Sequence, residues 1–124
     1  MIAAADDRAT LAALSRLHAA LNREHFGGVL RRPVFRLSGR MRTRLAEVLA
    51  EDGGPIEIGI SRRHVERDGW GEVRRTLLHE MVHQWQVESG LPLDHGPAFR
   101  RKAREVGVEA AAKRKVGRVN GRET

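Results

Sequence analysis

Apolar residues take helical spacing near both ends of the chain and short extended runs between. Leu11, Leu14, Leu17 and Leu21, flanked by Ala13 and Ala20, predict an amphipathic helix from about Asp6 to Phe26, stopped by Gly27-Gly28. Pro33 opens an extended run, Val34-Phe35-Arg36-Leu37, read as a strand. Arg40 to Asp52 has the composition of a helix, with Leu45, Val48 and Leu49 on one face, and a strand is the open alternative. Asp52-Gly53-Gly54-Pro55 is a turn cluster, and Ile56-Glu57-Ile58-Gly59-Ile60 alternates as a half-buried strand does. Its place after the turn predicts a small antiparallel sheet. The most readable helix runs from Trp70 to about Ser89 and is ended by Gly90 and Pro92. A loop reaches His95-Gly96, and Pro97 suits the first turn of a third helix. The class is therefore α+β: one domain over residues 1–107, then a basic tail over 108–124 that is partly helical or frayed.

Composition narrows the chemistry. The 124 residues suffice for one domain, and 31% charged with 40% hydrophobic residues is ordinary for a globular chain. There is no cysteine, so disulfides and thiolate zinc sites are excluded, and a bound metal must use His, Asp or Glu. Asp6, Asp7 and Arg8 interrupt the start, no stretch has the length of a membrane span, and the expectation is a cytoplasmic protein without membrane contact. Net charge is +7, and it is uneven: the segment from Arg100 onward holds nine Lys/Arg against three Glu. Such asymmetry fits either a nucleic-acid contact or a solvated basic tail.

The sharpest signal is His79-Glu80-Met81-Val82-His83, an HExxH motif. On a helix, residues four apart lie one turn apart on the same side, so both imidazoles reach one ion. Glu80 then sits beside a zinc-activated water, where a carboxylate takes the proton as the water attacks a carbonyl. At average residue frequencies the motif arises by chance on the order of a few times per thousand chains of this length. Context adds to it: at about 100° per residue, Val73, Leu77, Leu78, Met81, Val82 and Trp85 fill one arc, and Glu72, Thr76, His79, His83 and Gln86 fall opposite. The histidines thus sit on a polar stripe of a firmly packed helix. A single zinc ion of this type needs a third protein ligand and leaves a position for water. His95, just past the Gly90-Leu91-Pro92 turn, is one candidate; Glu105 on the third helix and Asp94 are others. Glu88 would point away from the histidine stripe.

The run LLHEMVHQWQVESGLPLDHGPAFRRKAREVG resembles the SprT-like zinc metallopeptidase family, the group that includes Spartan-type proteases of DNA–protein crosslinks. Upstream, Leu21-Asn22 through Phe26-Gly27-Gly28-Val29-Leu30, Leu37-Ser38-Gly39-Arg40-Met41-Arg42, Ile56-Glu57-Ile58 and Arg75-Thr76-Leu77-Leu78 extend the likeness to about residues 8–107. The resemblance implies a zincin-like domain of helix, small antiparallel sheet of about three strands, active-site helix, loop and further helix. It implies a strand over Arg44 to Ala50. It also implies His79, His83 and His95 as zinc ligands and Glu80 as the base of a metalloendopeptidase. The metzincin pattern fits less well, since Gln86 and Ser89 stand where it has Gly and His, and Met1, Met41 and Met81 are the only methionines.

The chain departs from many members in lacking a cysteine ribbon. Its candidate substitute for DNA contact is the basic end: Arg100, Arg101, Lys102, Arg104, Lys113, Arg114, Lys115, Arg118 and Arg122. Phosphate contacts of that kind bind without sequence preference, and few aromatics are present for base stacking. There is no tyrosine, so oxyanion stabilisation falls to His64, an arginine or backbone N–H groups. The bland readings are a surface position for His64, packing roles for His18 and His25, a helix-start staple for Trp70, a core position for Trp85, and an anchoring role for Phe99. Two functions compete: a zinc peptidase acting on a protein or peptide substrate, with DNA-associated proteins as its target, and a DNA-binding or adaptor module whose zinc site is structural or idle. A chance motif in a metal-free domain is the third reading.

Overall fold

The computed structural model describes residues 2–108, 118–119 and 122–123, and they form an α+β fold. Helix α1 (Ile2–His25) leads into strands β1 (Val34–Ser38), β2 (Ala46–Leu49) and β3 (Glu57–Ser61). Helices α2 (Arg62–Glu88) and α3 (Pro97–Val106) follow. Two short strands, β4 (Arg118–Val119) and β5 (Arg122–Glu123), pair antiparallel. The rest of the expected 108–124 tail, beyond Val108, lies outside the described residues.

Helix α1 buries Leu14, His18 and Leu21, one side of a 3.6-residue repeat. Gly27 and Gly28 end it with φ of 64° and 75°, a left-handed backbone that side chains with a Cβ avoid. Asn22 then closes the exit loop, its side-chain nitrogen donating to the Leu30 carbonyl (3.0 Å) and its oxygen accepting from the Leu30 N–H (3.1 Å).

The sheet order is β1-β3-β2. The antiparallel expectation holds for β2 and β3, which pair Ala46 with Ile60 and Val48 with Ile58. It fails for β1, which runs parallel to β3 from Val34↔Glu57 to Ser38↔Ser61. Strand β3, with Ile58 and Ile60 fully enclosed and Gly59 also buried, takes the centre; the chain reverses direction at each strand connection, so β3, inserted between β1 and β2, runs the same way as β1. Gly59 has a second use. A Cβ there would stand 2.6 Å from the Arg36 guanidinium, which lies across β3 and donates to Glu57 and Glu47, each at 2.7 Å. The ambiguous 40–52 region resolves as strand β2. Its Ala, Glu and Leu favour helix, and pairing with β3 while burying Ala46 and Val48 overrides that preference.

Helix α2 begins at Arg62, earlier than Trp70, because Ser61 caps it by accepting from the His64 N–H (3.2 Å). Gly69 (φ 82°, ψ 169°) breaks it, so the stretch from Trp70 is a second helical segment. That segment packs on β2 and β3, with α3 on its other flank. Val73, Leu77, Leu78, Met81 and Val82 enter the core. Thr76, His79, Glu80, His83, Gln84 and Gln86 are buried as well, so the polar stripe of this helix is enclosed from Thr76 onward, with Glu72 left exposed. Part of the enclosure is a polar bridge to α1. His18 Nε2 donates to Gln84 Oε1 (2.9 Å), and Gln84 Nε2 donates to the Arg31 carbonyl (2.7 Å) and to Glu88 (2.8 Å). Burial lowers the His18 pKa from its usual value, keeping the ring neutral in this role. His18 is thus the satisfied packing residue expected. Trp85 packs only partly buried against the core, and Trp70 is 43% exposed rather than stapled beneath the helix.

The two glycines near the kink have opposite conformational demands. Gly69→Ala should cost ~1–3 kcal/mol, because its φ/ψ region is open essentially to glycine alone. Gly71→Ala, where an added Cβ meets no atom within 4 Å, should gain ~0.5–1 kcal/mol. Urea midpoints of the two variants check this, and equal shifts in one direction would contradict the kink.

Candidate metal centre

Two elements and the loop between them build the site. His79 and His83 stand one turn apart on α2, and both rings are fully buried. Helix α2 stops at Ser89-Gly90, where Gly90 takes φ 73°, and the chain turns back so that His95 precedes α3. The three imidazoles converge, with ligand nitrogens all within 4.8 Å of one another. Ring centroids lie 5.2 Å (His79–His83), 5.5 Å (His79–His95) and 5.0 Å (His83–His95) apart. The Nε2 atoms of His83 and His95 are 3.2 Å apart. Two nitrogens bound to one tetrahedral zinc stand about 3.3 Å apart, so the donor set fits such an ion. Burial pushes the His83 pKa down to about 4, with His95 adding to the shift, and burial lowers His95 too. Both rings are therefore neutral at pH 7, the form a metal binds.

Phe99 sits at the hub of these rings. It stacks on His83 at 4.5 Å and meets His95 at 4.7 Å and His79 at 5.1 Å edge-on. Its ring is fully buried, so it anchors α3 and the third histidine together. The loop is held from inside. Asp94 accepts from the Gly96 N–H (3.0 Å), and a Cβ on Gly96 would meet that carboxylate at 3.1 Å. Gln86 bonds both His83 and the Asp94 carbonyl. The sequence placed Gln86 on the histidine stripe without giving it a role; its spacing of three from His83 is the signal that points to one.

Glu80 follows His79 on α2 and is buried to 1% exposure. Among the rival third ligands, Glu105 is exposed and pairs with Lys102 (3.5 Å), and Asp94 accepts from the Gly96 N–H; Glu88, expected to point away from the histidine stripe, faces Arg31 and Gln84. His64 is a correction. It is 1% exposed rather than on the surface, because the kink at Gly69 folds residues 62–68 back along the helix. Its Nδ1 meets Asp68 (2.7 Å) and its Nε2 meets the Thr76 hydroxyl (2.8 Å), so both ring nitrogens are engaged away from the oxyanion role considered for it. Arg67 and then His64 hold the Asp68 carboxyl below the usual carboxylate range.

The basic residues divide. Arg100, Arg101 and Arg104 are exposed on α3. Lys102 instead lies 5.1 Å over the Trp85 ring and 5.5 Å over Phe26, tying α3 to α2 and to the end of α1. Lys113, Arg114 and Lys115 lie outside the described residues. A cleft of about 750 Å³ opens at the far end of α2, between Glu51-Asp52 and the loop residues Leu91 to Leu93, and none of the three histidines lines it. No helix among the described residues is long and apolar enough to cross a membrane.

With this geometry, the family comparison is decisive. The model of the SprT-like family matches residues 14–118. The chain belongs to the SprT-like family. No curated protein sequence matches it significantly. The SprT-like match spans α1 from Leu14, the sheet, both later helices and the clustered histidines, so family and geometry agree on a His-based site compatible with a metal ion.

Phe99 is the shared support of that site. Phe99→Ala should lower stability by ~3–5 kcal/mol, and Phe99→Leu by less, since it refills part of the volume. Urea unfolding of the metal-free protein measures both, and a wild-type midpoint for Phe99→Ala would remove Phe99 from the hub.

Proposed function

We propose that this SprT-like chain is a zinc metallopeptidase in which His79, His83 and His95 hold one zinc ion and Glu80 is the general base. The observation that carries the reading is the convergence of three imidazoles beside a buried HExxH glutamate. When bound, zinc supplies Lewis acidity that lowers the pKa of water and polarises a carbonyl. The chain's own part is positional and acid–base. Glu80 takes a proton from the attacking water and returns it to the departing amine, so the peptide bond breaks into a carboxylate and an amine. Its burial removes bulk water and strengthens its field on the reacting groups. Backbone N–H groups or an arginine remain to stabilise the oxyanion, His64 being occupied.

The proposed substrate is a protein or peptide, with proteins associated with DNA as the target class. Exposed Arg100, Arg101 and Arg104 support DNA contact, and the same arginines favour the second reading, a DNA-binding or adaptor module with an idle zinc site.

Two measurements separate these readings. His95→Ala should lose near-stoichiometric zinc while Glu105→Ala retains it, and zinc lost with Glu105 instead would assign another ligand set. Glu80→Gln should keep zinc and lose cleavage by at least ~100-fold, the usual scale for removing a general base. Cleavage by Glu80→Gln at the wild-type rate would refute the mechanism, and zinc retention with no cleavage even in wild type would favour the adaptor. Across a salt series, three arginine–phosphate contacts should give a log–log slope of about −3, abolished in the triple alanine variant. Salt-insensitive DNA binding would remove these arginines from the interface.

A further inference from the structure

Gln86 is fully buried on α2, three residues after His83. One end of its amide faces the His83 Nδ1 at 2.8 Å, and the other faces the backbone carbonyl of Asp94 at 3.1 Å. The carbonyl of Asp94 only accepts, so the Gln86 NH2 must point to it. The Gln86 oxygen must then point to His83, and that oxygen only accepts. His83 Nδ1 therefore carries the proton, and the lone pair sits on Nε2, the nitrogen 3.2 Å from His95 Nε2. The same NH2 group reaches toward the Asp94 carboxylate at 3.5 Å, and that carboxylate binds the Gly96 N–H. His95 lies between these two tethered residues.

We infer that Gln86 is the positioning residue of the metal centre, setting the tautomer of His83 with one end of its amide and the placement of the His95 loop with the other. The inference rests on the three-histidine reading above. It adds a coupling: the second and third histidines are registered to each other through one side chain. Ligating imidazoles usually give their second N–H to a carboxylate or backbone carbonyl, and losing that partner typically weakens metal binding 10–100-fold. A glutamine fills the position here because the loop needs a donor from the same group that accepts from His83. Aspartate or glutamate would supply the acceptor alone.

The test uses Gln86→Met, which keeps length and burial and removes both bonds, and Gln86→Glu, which keeps only the acceptor. Zinc affinity is measured by chelator competition, and the His83 ring tautomer by ¹⁵N shifts of the metal-free protein at pH 7.5. Gln86→Met should bind zinc about 10–100-fold more weakly and lose the fixed Nδ1–H tautomer, with the metal-free fold intact by circular dichroism. Gln86→Glu should keep the tautomer and recover only part of the affinity, and it carries the test if Gln86→Met does not fold. Wild-type zinc affinity and tautomer in Gln86→Met, or the opposite tautomer in wild type, would overturn the inference. Absence of zinc binding by wild type would instead overturn the metal reading, and the tautomer shifts would still decide what Gln86 does to His83.

Discussion

Packing three imidazoles around the Phe99 ring is the constraint from which the other features follow. Enclosing polar rings costs free energy unless each nitrogen finds a partner or a metal. Every nearby element bears on that requirement. Helix α2 must be long enough to carry two histidines and still reach the core with its apolar side. The 90–96 loop must turn sharply enough to return His95. Helix α3 must start at once, so that Phe99, four residues on, drops into the cluster. Gly96 and Pro97 serve that start: the glycine allows the Asp94 carboxylate to close on its N–H, and the proline suits a first helical turn.

Amide side chains do much of the remaining stitching. Asn22 closes the exit of α1 on Leu30, Gln84 joins His18 to Arg31 and Glu88, and Gln86 joins His83 to Asp94. Each has a donor end and an acceptor end facing fixed partners, so each specifies an orientation as well as a contact. Charged groups would pay more desolvation in these positions. The arrangement explains how a small domain without disulfides or a large sheet keeps a polar centre enclosed.

The charged residues follow a different logic. Arg36 lies over Gly59 to reach two glutamates, and Lys102 lies over two aromatic rings; both act inside the domain's framework. Arg100, Arg101 and Arg104, by contrast, face solvent on α3, where a partner can reach them. Net charge alone does not separate these groups, because the distinction depends on which neighbour each side chain meets.

The spacing of His79, Glu80 and His83, the glycine stops and the alternation at Ile56 to Ile60 were legible because helix and strand periodicity are local properties of the chain. So were the absence of thiolate chemistry and the choice of Pro97 as a helix start. Long-range contact decided the rest. Strand β2 has helix-forming residues and becomes a strand only through pairing with β3; β1 and β3 run parallel because the chain reverses twice between them and β3 inserts beside β1. His64 looks exposed until the Gly69 kink folds it against Thr76. The histidines on the polar stripe of α2 are enclosed only because Phe99 of α3 packs onto them. Candidates for a third ligand, His95, Glu105 and Asp94, are close in sequence, and only the turn of the loop brings His95 to the other two histidines while leaving Glu105 in solvent. Periodicity is set by neighbours along the chain, whereas convergence is set by which surfaces must be buried against each other.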